Sequence, residues 1–163
     1  MSMTGELHQN QSGFTLVEAM IAVIILGGGL LALASGFSQG MILMSTSHNH
    51  QIAKEKASEA VESVFTSRDT RTITWAQIRN AGNGGIFLDG PQSLRAPGAD
   101  GLVNTADDGA LETENQVPLN NFTRETEIRD IAPNLRQIRV IVRYQMGHLN
   151  RRYELIAYIS SFA

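Results

Sequence analysis

The sequence predicts an α+β protein: a long amino-terminal helix, transmembrane in its first half and amphipathic in its second, packs on a small antiparallel β-sheet. Two observations predict this fold. An apolar run without a charged side chain covers residues 19–37, and a proline-free, helix-compatible segment continues from it to about Phe65. Residues 122–163, by contrast, are rich in β-branched and aromatic residues that alternate with polar ones, which is the period of strands.

Length and composition exclude several classes of protein. The 163 residues leave one modest domain beyond such a helix. The chain has no cysteine, so disulfides, thiolate metal sites and cysteine nucleophiles are excluded. A net charge of −3 argues against a general polyanion binder. No serine-hydrolase, zinc-peptidase or phosphate-loop motif occurs in the sequence, so we predict that the protein is not an enzyme.

Residues 14–37 are predicted to form the transmembrane half of the helix. A run of about 20 apolar residues, at a rise of about 1.5 Å each, spans a hydrocarbon core near 30 Å thick. A buried helix of a soluble protein is usually shorter and apolar on one side only. Glu18 is the exception within this segment. A carboxylate costs roughly 2.5–3.5 kcal/mol at the centre of a membrane and less near its surface, so Glu18 is compatible with a membrane boundary.

The sequence GFTLVE from Gly13 to Glu18, followed by the apolar run, resembles the processing site of type IV prepilins. In that family a membrane aspartyl peptidase cuts after the glycine and methylates the new amino terminus. The resemblance implies that residues 1–13 are a cleaved leader and that Phe14 is the N-methylated mature terminus. It also implies that Glu18 pairs with the terminal amine of an adjacent subunit when helices bundle. Such a pair in a low-dielectric bundle offsets much of the desolvation of the carboxylate.

The middle of the apolar run is similar to minor pilins of the PilV type and to minor pseudopilins. Major pilins commonly carry a proline about twenty residues into the mature helix, whereas this sequence has Gly27, Gly28 and Gly29 there. Each glycine costs a helix about 1 kcal/mol relative to alanine. We consider two interpretations: the glycines let the helix stretch during insertion into a filament, or they allow close helix–helix approach in the membrane.

The resemblance therefore implies a minor type IV pilin, a structural subunit that helps to initiate, cap or modify a pilus. Its implied partners are the prepilin peptidase, the major pilin and other minor pilins, the inner-membrane assembly platform and membrane lipid. The implied location is the bacterial inner membrane as a single-pass precursor, then the pilus and cell surface or the periplasm. One alternative is a minor pseudopilin of a type II secretion system. Another is a soluble exported binding domain, because Ala32-Leu33-Ala34 is also a pattern that signal peptidase cuts.

Beyond the membrane segment we predict an amphipathic half of the helix over residues 38–66, followed by a glycine- and aspartate-rich loop region over residues 67–121. Asp100, Asp107 and Asp108 lie on this loop with carbonyl, asparagine and threonine oxygens between them. Oxygen ligands of this kind suit calcium, and we treat the three carboxylates as a candidate calcium site. Aspartate, asparagine and glycine are also the residues that solvated turns use.

Residues 122–163 are predicted to form an antiparallel β-meander whose apolar side faces the helix. The predicted strands are Phe122–Ile131, Leu135–Gln145 and Arg151–Ser160. Arg139 and Arg143 are candidates for nucleic-acid contact, but no aromatic stacking platform accompanies them. Cross-strand pairing with neighbouring glutamates is the interpretation that the pattern favours, so we do not predict a nucleic-acid partner.

Overall fold

The computed structural model describes residues 13–147 and 149–162. Of the predicted leader, residues 1–12 lie outside the described residues. The first element is helix α1, Leu16–Asp69, which ends three residues later than the predicted boundary at 66. The chain divides into two compact units, Met1–Met44 and Ser45–Ala163. We call them the inner unit and the outer unit.

The described part of the inner unit is the start of α1 and the three residues before it. Its large apolar side chains are exposed along the whole segment: the first, Phe14, is 83 % exposed and the last, Met44, is 76 % exposed. The helix is long and apolar enough to cross a membrane. With no core of its own, this segment needs an apolar environment that the chain itself does not supply.

The outer unit contains the rest of α1 and two β-sheets. The larger sheet has the strand order β1-β4-β5-β6, and β2 pairs with β3 in a separate hairpin. The strands are β1 Gln92–Ser93, β2 Thr113–Glu114, β3 Val117–Pro118, β4 Phe122–Ala132, β5 Leu135–Met146 and β6 Leu149–Ser160. Two short 3-10 helices, Trp75–Gln77 and Ala81–Asn83, precede β1.

All pairs in the larger sheet are antiparallel, as predicted. The β5–β6 register is unbroken from Leu135 opposite Ser160 to Met146 opposite Leu149. Strand β6 begins two residues before the predicted Arg151, and the other two long strands end one residue later than predicted. The predicted α+β fold, a long helix packed on an antiparallel sheet, is confirmed.

The core of the outer unit lies between the sheet and residues 52–67 of α1. Alternate residues of β5 are buried, and they share one hydrophobic cluster with the buried helix residues Ile52, Ala53, Ala57, Ala60 and Val64. The segment predicted as a loop region also enters this core. Its buried apolar residues are Ile73, Ile78, Phe87, Leu94, Leu102, Val103 and Leu119.

Candidate functional site

The predicted processing site lies immediately before α1. Gly13 is exposed and non-helical, and no atom lies within 4 Å of the position that a β-carbon would occupy there. The fold of the chain therefore does not itself require a glycine at this position. Phe14 is 83 % exposed. Both residues are accessible to a partner protein, and their roles in cleavage and methylation stay predictions.

Glu18 has a local role that the sequence interpretation missed. Thr15 precedes the helix, its Oγ1 accepts a hydrogen bond from the Glu18 N–H at 3.3 Å, and its carbonyl accepts one from the Ala19 N–H at 3.1 Å. Thr15 is thus the N-cap, and a threonine followed by glutamate three residues later is a capping-box pattern that the sequence already contained. The negative charge of Glu18 in the first turn also favours the helix dipole.

The Glu18 carboxylate makes no ion pair within the described part of the chain, and Glu18 is exposed. The cap uses the backbone of Glu18, so its carboxylate is open to a partner. Pairing with the amine of another subunit stays a prediction. Gly27, Gly28 and Gly29 are helical, and no atom lies within 4 Å of their missing β-carbons. Both interpretations of these glycines, stretching and close helix–helix contact, therefore concern events that involve other chains.

The aspartate loop is organised by hydrogen bonds to its own backbone. Asp108 accepts the N–H groups of Asn104 at 2.9 Å and Thr105 at 3.1 Å. Asp107 accepts the Thr105 hydroxyl at 2.8 Å, and this bond holds the pKa of Asp107 below its usual value. Asp100 accepts the Leu102 N–H at 2.8 Å. Each carboxylate therefore stabilises a turn, which is the alternative role that the sequence left open.

The predicted calcium site comprises Asp100, Asp107 and Asp108 on this loop. Among residues 13–147 and 149–162, no group of three acidic or histidine side chains is placed to hold a metal ion. Calcium prefers six to eight oxygen ligands around one point. Calcium binding by Asp100, Asp107 and Asp108 stays an untested prediction.

A buried charge network, unanticipated from the sequence, connects the helix, the loop region and the sheet. The Glu112 carboxylate lies 2.5 Å from the Lys56 amine on α1 and 3.7 Å from the Arg124 guanidinium on β4. Arg124 is fully buried, and this burial lowers the pKa of its guanidinium against the opposing effect of Glu112. Burial also acts to lower the pKa of Lys56, but the carboxylates of Glu112 and Glu59 outweigh it, so the pKa is raised. Glu112 therefore neutralises the buried Arg124 and shares the Lys56 amine with Glu59, which lies 2.8 Å from that amine.

Arg136 performs a similar structural task at the other end of the sheet. Its side chain, on β5, is 1 % exposed. The guanidinium donates to the carbonyl oxygens of Trp75 and Ile78, the second at 2.9 Å, and to the Asp130 carboxylate at 2.7 Å. It also lies 4.1 Å from the centre of the Trp75 ring. Arg136 thus fixes the first 3-10 helix on the sheet.

The outer face of the sheet carries the cross-strand pairs that the sequence favoured. Arg139 lies 2.7 Å from Glu154 and 3.2 Å from Glu127, and Arg143 lies 2.6 Å from Glu125. Hydrogen bonds from Arg139 hold the pKa of Glu154 below its usual value. The predicted pairing of these arginines with strand glutamates is confirmed.

Comparison with known proteins gives one match. Residues 8–34 match the family described as the prokaryotic N-terminal methylation motif. No curated protein and no solved structure matches the chain. The matched segment contains Gly13, Phe14, Glu18 and the first half of the exposed apolar helix. The motif supports a type IV pilin-like protein, either a pilin or a pseudopilin, and it implies processing by a prepilin peptidase and assembly with other pilins.

Proposed function

We propose that this chain is a minor type IV pilin. It is made as an inner-membrane precursor and is cut by the prepilin peptidase after Gly13. It is then inserted into a pilus as a low-copy subunit that initiates, caps or modifies the filament. The methylation motif at residues 8–34 supports the pilin-like part of this proposal. The run Gly27–Gly29 in place of the usual proline supports the minor subtype.

The observation that carries the proposal is the contrast in burial between the two units. The outer unit buries its own apolar core, whereas the apolar side chains of the inner unit are exposed. Each Å² of apolar surface left in water costs about 25 cal/mol, so this segment must be covered. A bilayer covers it in the precursor, and neighbouring helices cover it in a filament.

Glu18 gives the assembly its register. Cleavage after Gly13 creates an amine at Phe14, close in sequence to the exposed Glu18 carboxylate, which makes no ion pair among residues 13–147 and 149–162. In a bundle of such helices, the carboxylate of one subunit pairs with the amine of the next. A subunit that docks one helical turn out of place leaves both charges buried and unpaired, which is strongly unfavourable.

Amino-terminal sequencing and mass spectrometry of the membrane and sheared-pilus fractions test the processing step. The expected mature chain begins at N-methylated Phe14. Since the fold does not need a glycine at position 13, Gly13→Val should block cleavage while leaving the outer unit folded. A chain that begins at Ser35 would overturn the proposal and favour a soluble exported domain.

Two variants separate the roles of Glu18. Glu18→Ala should be processed and then fail to enter the filament. Thr15→Val removes the hydroxyl cap but keeps the carboxylate, so it should still be incorporated. Equal loss in both variants would place the effect on helix capping and remove the pairing role.

The pseudopilin alternative is tested in the same strains. A minor pilin is recovered from sheared pili, and its deletion reduces piliation. If the chain is absent from pili and its deletion instead stops secretion of exported enzymes, the pseudopilin role is correct.

A further inference from the structure

One end of the larger sheet carries positive charge that the fold does not neutralise. Arg151 and Arg152 are exposed on β6 and make no ion pair with any other described residue. Arg152 lies directly opposite Arg143 in the β5–β6 register. Like charges in that position destabilise a sheet. The other arginines on the three long strands each lie within 4 Å of a carboxylate: Arg124, Arg129, Arg136, Arg139 and Arg143.

A groove of about 510 Å³ opens at this end, between the arginines and a set of uncharged hydrogen-bonding residues. The uncharged polar residues that line it are Asn121, Thr123, Gln145 and Asn150. Amide and hydroxyl groups beside guanidinium groups are donors for an oxyanion. We call Arg151 and Arg152 with this groove the basic end of the sheet. Arg143 also lines the groove, but it pairs with Glu125 at 2.6 Å.

Two contacts place the basic end along α1. His50 Nδ1 lies 3.2 Å from the Tyr144 hydroxyl, and Arg68 donates to the Ser160 carbonyl at 3.0 Å. From residue 50 to residue 68 the helix advances about 27 Å. From Arg151, which pairs with Tyr144, to Ser160 the strand advances about 30 Å. The similar lengths mean that β6 runs along the helix in the same direction.

The tip of the β5–β6 hairpin therefore points towards the start of the outer unit. It extends two residues beyond Tyr144, about 7 Å further. Five residues of helix before His50 cover about the same distance. The tip is thus level with about Ser45, the first residue of the outer unit.

This tip is apolar as well as basic. Leu149 is 55 % exposed. Val117 is 64 % exposed, and its strand partner Glu114 lies 3.6 Å from His48 on the same part of the helix. Leu149, on the same strand as the unpaired Arg151 and Arg152, supplies an apolar contact for acyl chains, and the arginines supply contacts for charged headgroups.

We propose that the basic end of the sheet binds the phosphate groups of anionic phospholipids at the outer surface of the inner membrane. Arg151 and Arg152 donate to phosphate oxygens, and the exposed Leu149 lies at the same tip, towards the membrane surface. This proposal rests on the proposed function only in that α1 anchors the chain in the membrane. The contact holds the outer unit against the membrane before assembly, and extraction of the subunit into a filament breaks it.

The absence of cysteine allows a direct test. The full chain, carrying Leu149→Cys with an environment-sensitive fluorophore, is reconstituted in nanodiscs of phosphatidylcholine alone or with phosphatidylglycerol. With phosphatidylglycerol we expect a blue shift and quenching by headgroup spin labels, both weakened by high salt. Each arginine near an anionic membrane favours binding about fivefold at low salt, so Arg151→Gln with Arg152→Gln should reduce docking about 25-fold.

Matched controls define the outcome. A label at Asn134→Cys, in the turn at the opposite end of the sheet, should not respond to lipid. Arg71→Gln, an exposed arginine beyond α1, should leave the response of the label at 149 unchanged. Thermal unfolding of each variant verifies that it is folded.

Three results would overturn the inference. The first is equal emission in both lipid compositions, and the second is an unchanged response in the double arginine variant. The third is a full response to millimolar inorganic phosphate in phosphatidylcholine discs, which would identify a site for free anions. In each case a chain that stays with the discs leaves the membrane anchorage intact, whereas a chain that dissociates from them contradicts the anchorage itself.

Discussion

Replacing Arg136 by methionine is expected to destabilise the outer unit by about 3 kcal/mol, because methionine keeps the aliphatic volume but removes every polar contact of the guanidinium. The side chain is 1 % exposed and donates to the carbonyls of Trp75 and Ile78 and to Asp130. The perturbation therefore leaves acceptors without their donor at the junction of the first 3-10 helix and β5.

The contacts of the Arg136 guanidinium contribute unequally to this loss of stability. Ile78 is fully buried, and a buried carbonyl that loses its donor costs about 1–3 kcal/mol. Trp75 O keeps a bond from the Ile78 N–H at 3.3 Å, so its loss is smaller. The stacking of the guanidinium on the Trp75 ring adds about 1 kcal/mol. Asp130 has a 52 % exposed side chain, so its pair adds at most about 1 kcal/mol.

Thermal unfolding of the full chain in detergent, followed by far-ultraviolet circular dichroism, measures the effect. A loss of about 3 kcal/mol lowers the Tm of a domain this size by roughly 12 °C. Arg129→Met is the matched control, because Arg129 is exposed and pairs only at the surface with Glu127 at 3.1 Å. Its expected cost is below about 1 kcal/mol. Equal Tm values for Arg136→Met and Arg129→Met would refute the reasoning.

Three further predictions concern charge in the outer unit. Glu112→Gln leaves the buried Arg124 without its carboxylate, whereas Lys56 keeps Glu59 at 2.8 Å, so the change should cost about 3 kcal/mol in urea unfolding. Glu114→Gln, at a partly exposed pair, should change little. Asp108→Ala removes the acceptor of two backbone N–H groups and should cost about 1–3 kcal/mol of unfolding free energy. The same variant tests the calcium prediction by calorimetry. A heat of calcium binding that disappears in this variant would support the prediction, and no heat at millimolar calcium would contradict it. Arg136 lowers the pKa of Asp130, and Arg139 lowers the pKa of Glu154. The two carboxylates therefore stabilise the folded outer unit above about pH 4.5, and this contribution is lost as the pH falls below that value. Arg136→Met should make the Tm depend less on pH in this acid range, and an unchanged dependence would contradict the role of Asp130.

The sequence was sufficient for the long strands because a period of two over ten or more residues is unambiguous. It also contained signals that went unused. Arg124 and Arg136 fall in the inward phase of their strands, beside Phe122 and Ile138. An arginine in that phase requires a buried acceptor. Its identity, a loop carboxylate or a 3-10 helix carbonyl, comes from segments remote in sequence and does not follow from local pattern.

In the loop region, by contrast, the sequence pattern does not predict which residues are buried. Phe87, Leu94 and Leu102 are fully buried, yet they follow neither helical nor strand periodicity, so no pattern separates them from solvated loop residues. The predicted end of α1 at residue 66 is also too early, because the sequence there has a threonine and a serine, which usually stop helices. In the structure Ser67 is buried and Arg68 binds the Ser160 carbonyl, so tertiary contacts carry the helix to Asp69 against local propensity.

The outer unit is stable through its own contacts, whereas the inner unit needs other molecules to cover it. Mutations in the outer unit therefore change folding stability, and mutations in the inner unit change assembly. The outer unit is stabilised by contacts within the chain, such as those of Glu112 and Arg136, so changes there alter stability in detergent, membrane or filament alike. In the described inner unit, by contrast, the apolar side chains and the Glu18 carboxylate are exposed. Changes at Glu18 should therefore leave the Tm of the outer unit unaltered, because beyond a local effect on the first helical turn they act when helices assemble. A Glu18→Ala chain with a wild-type Tm and no filament incorporation separates assembly from folding.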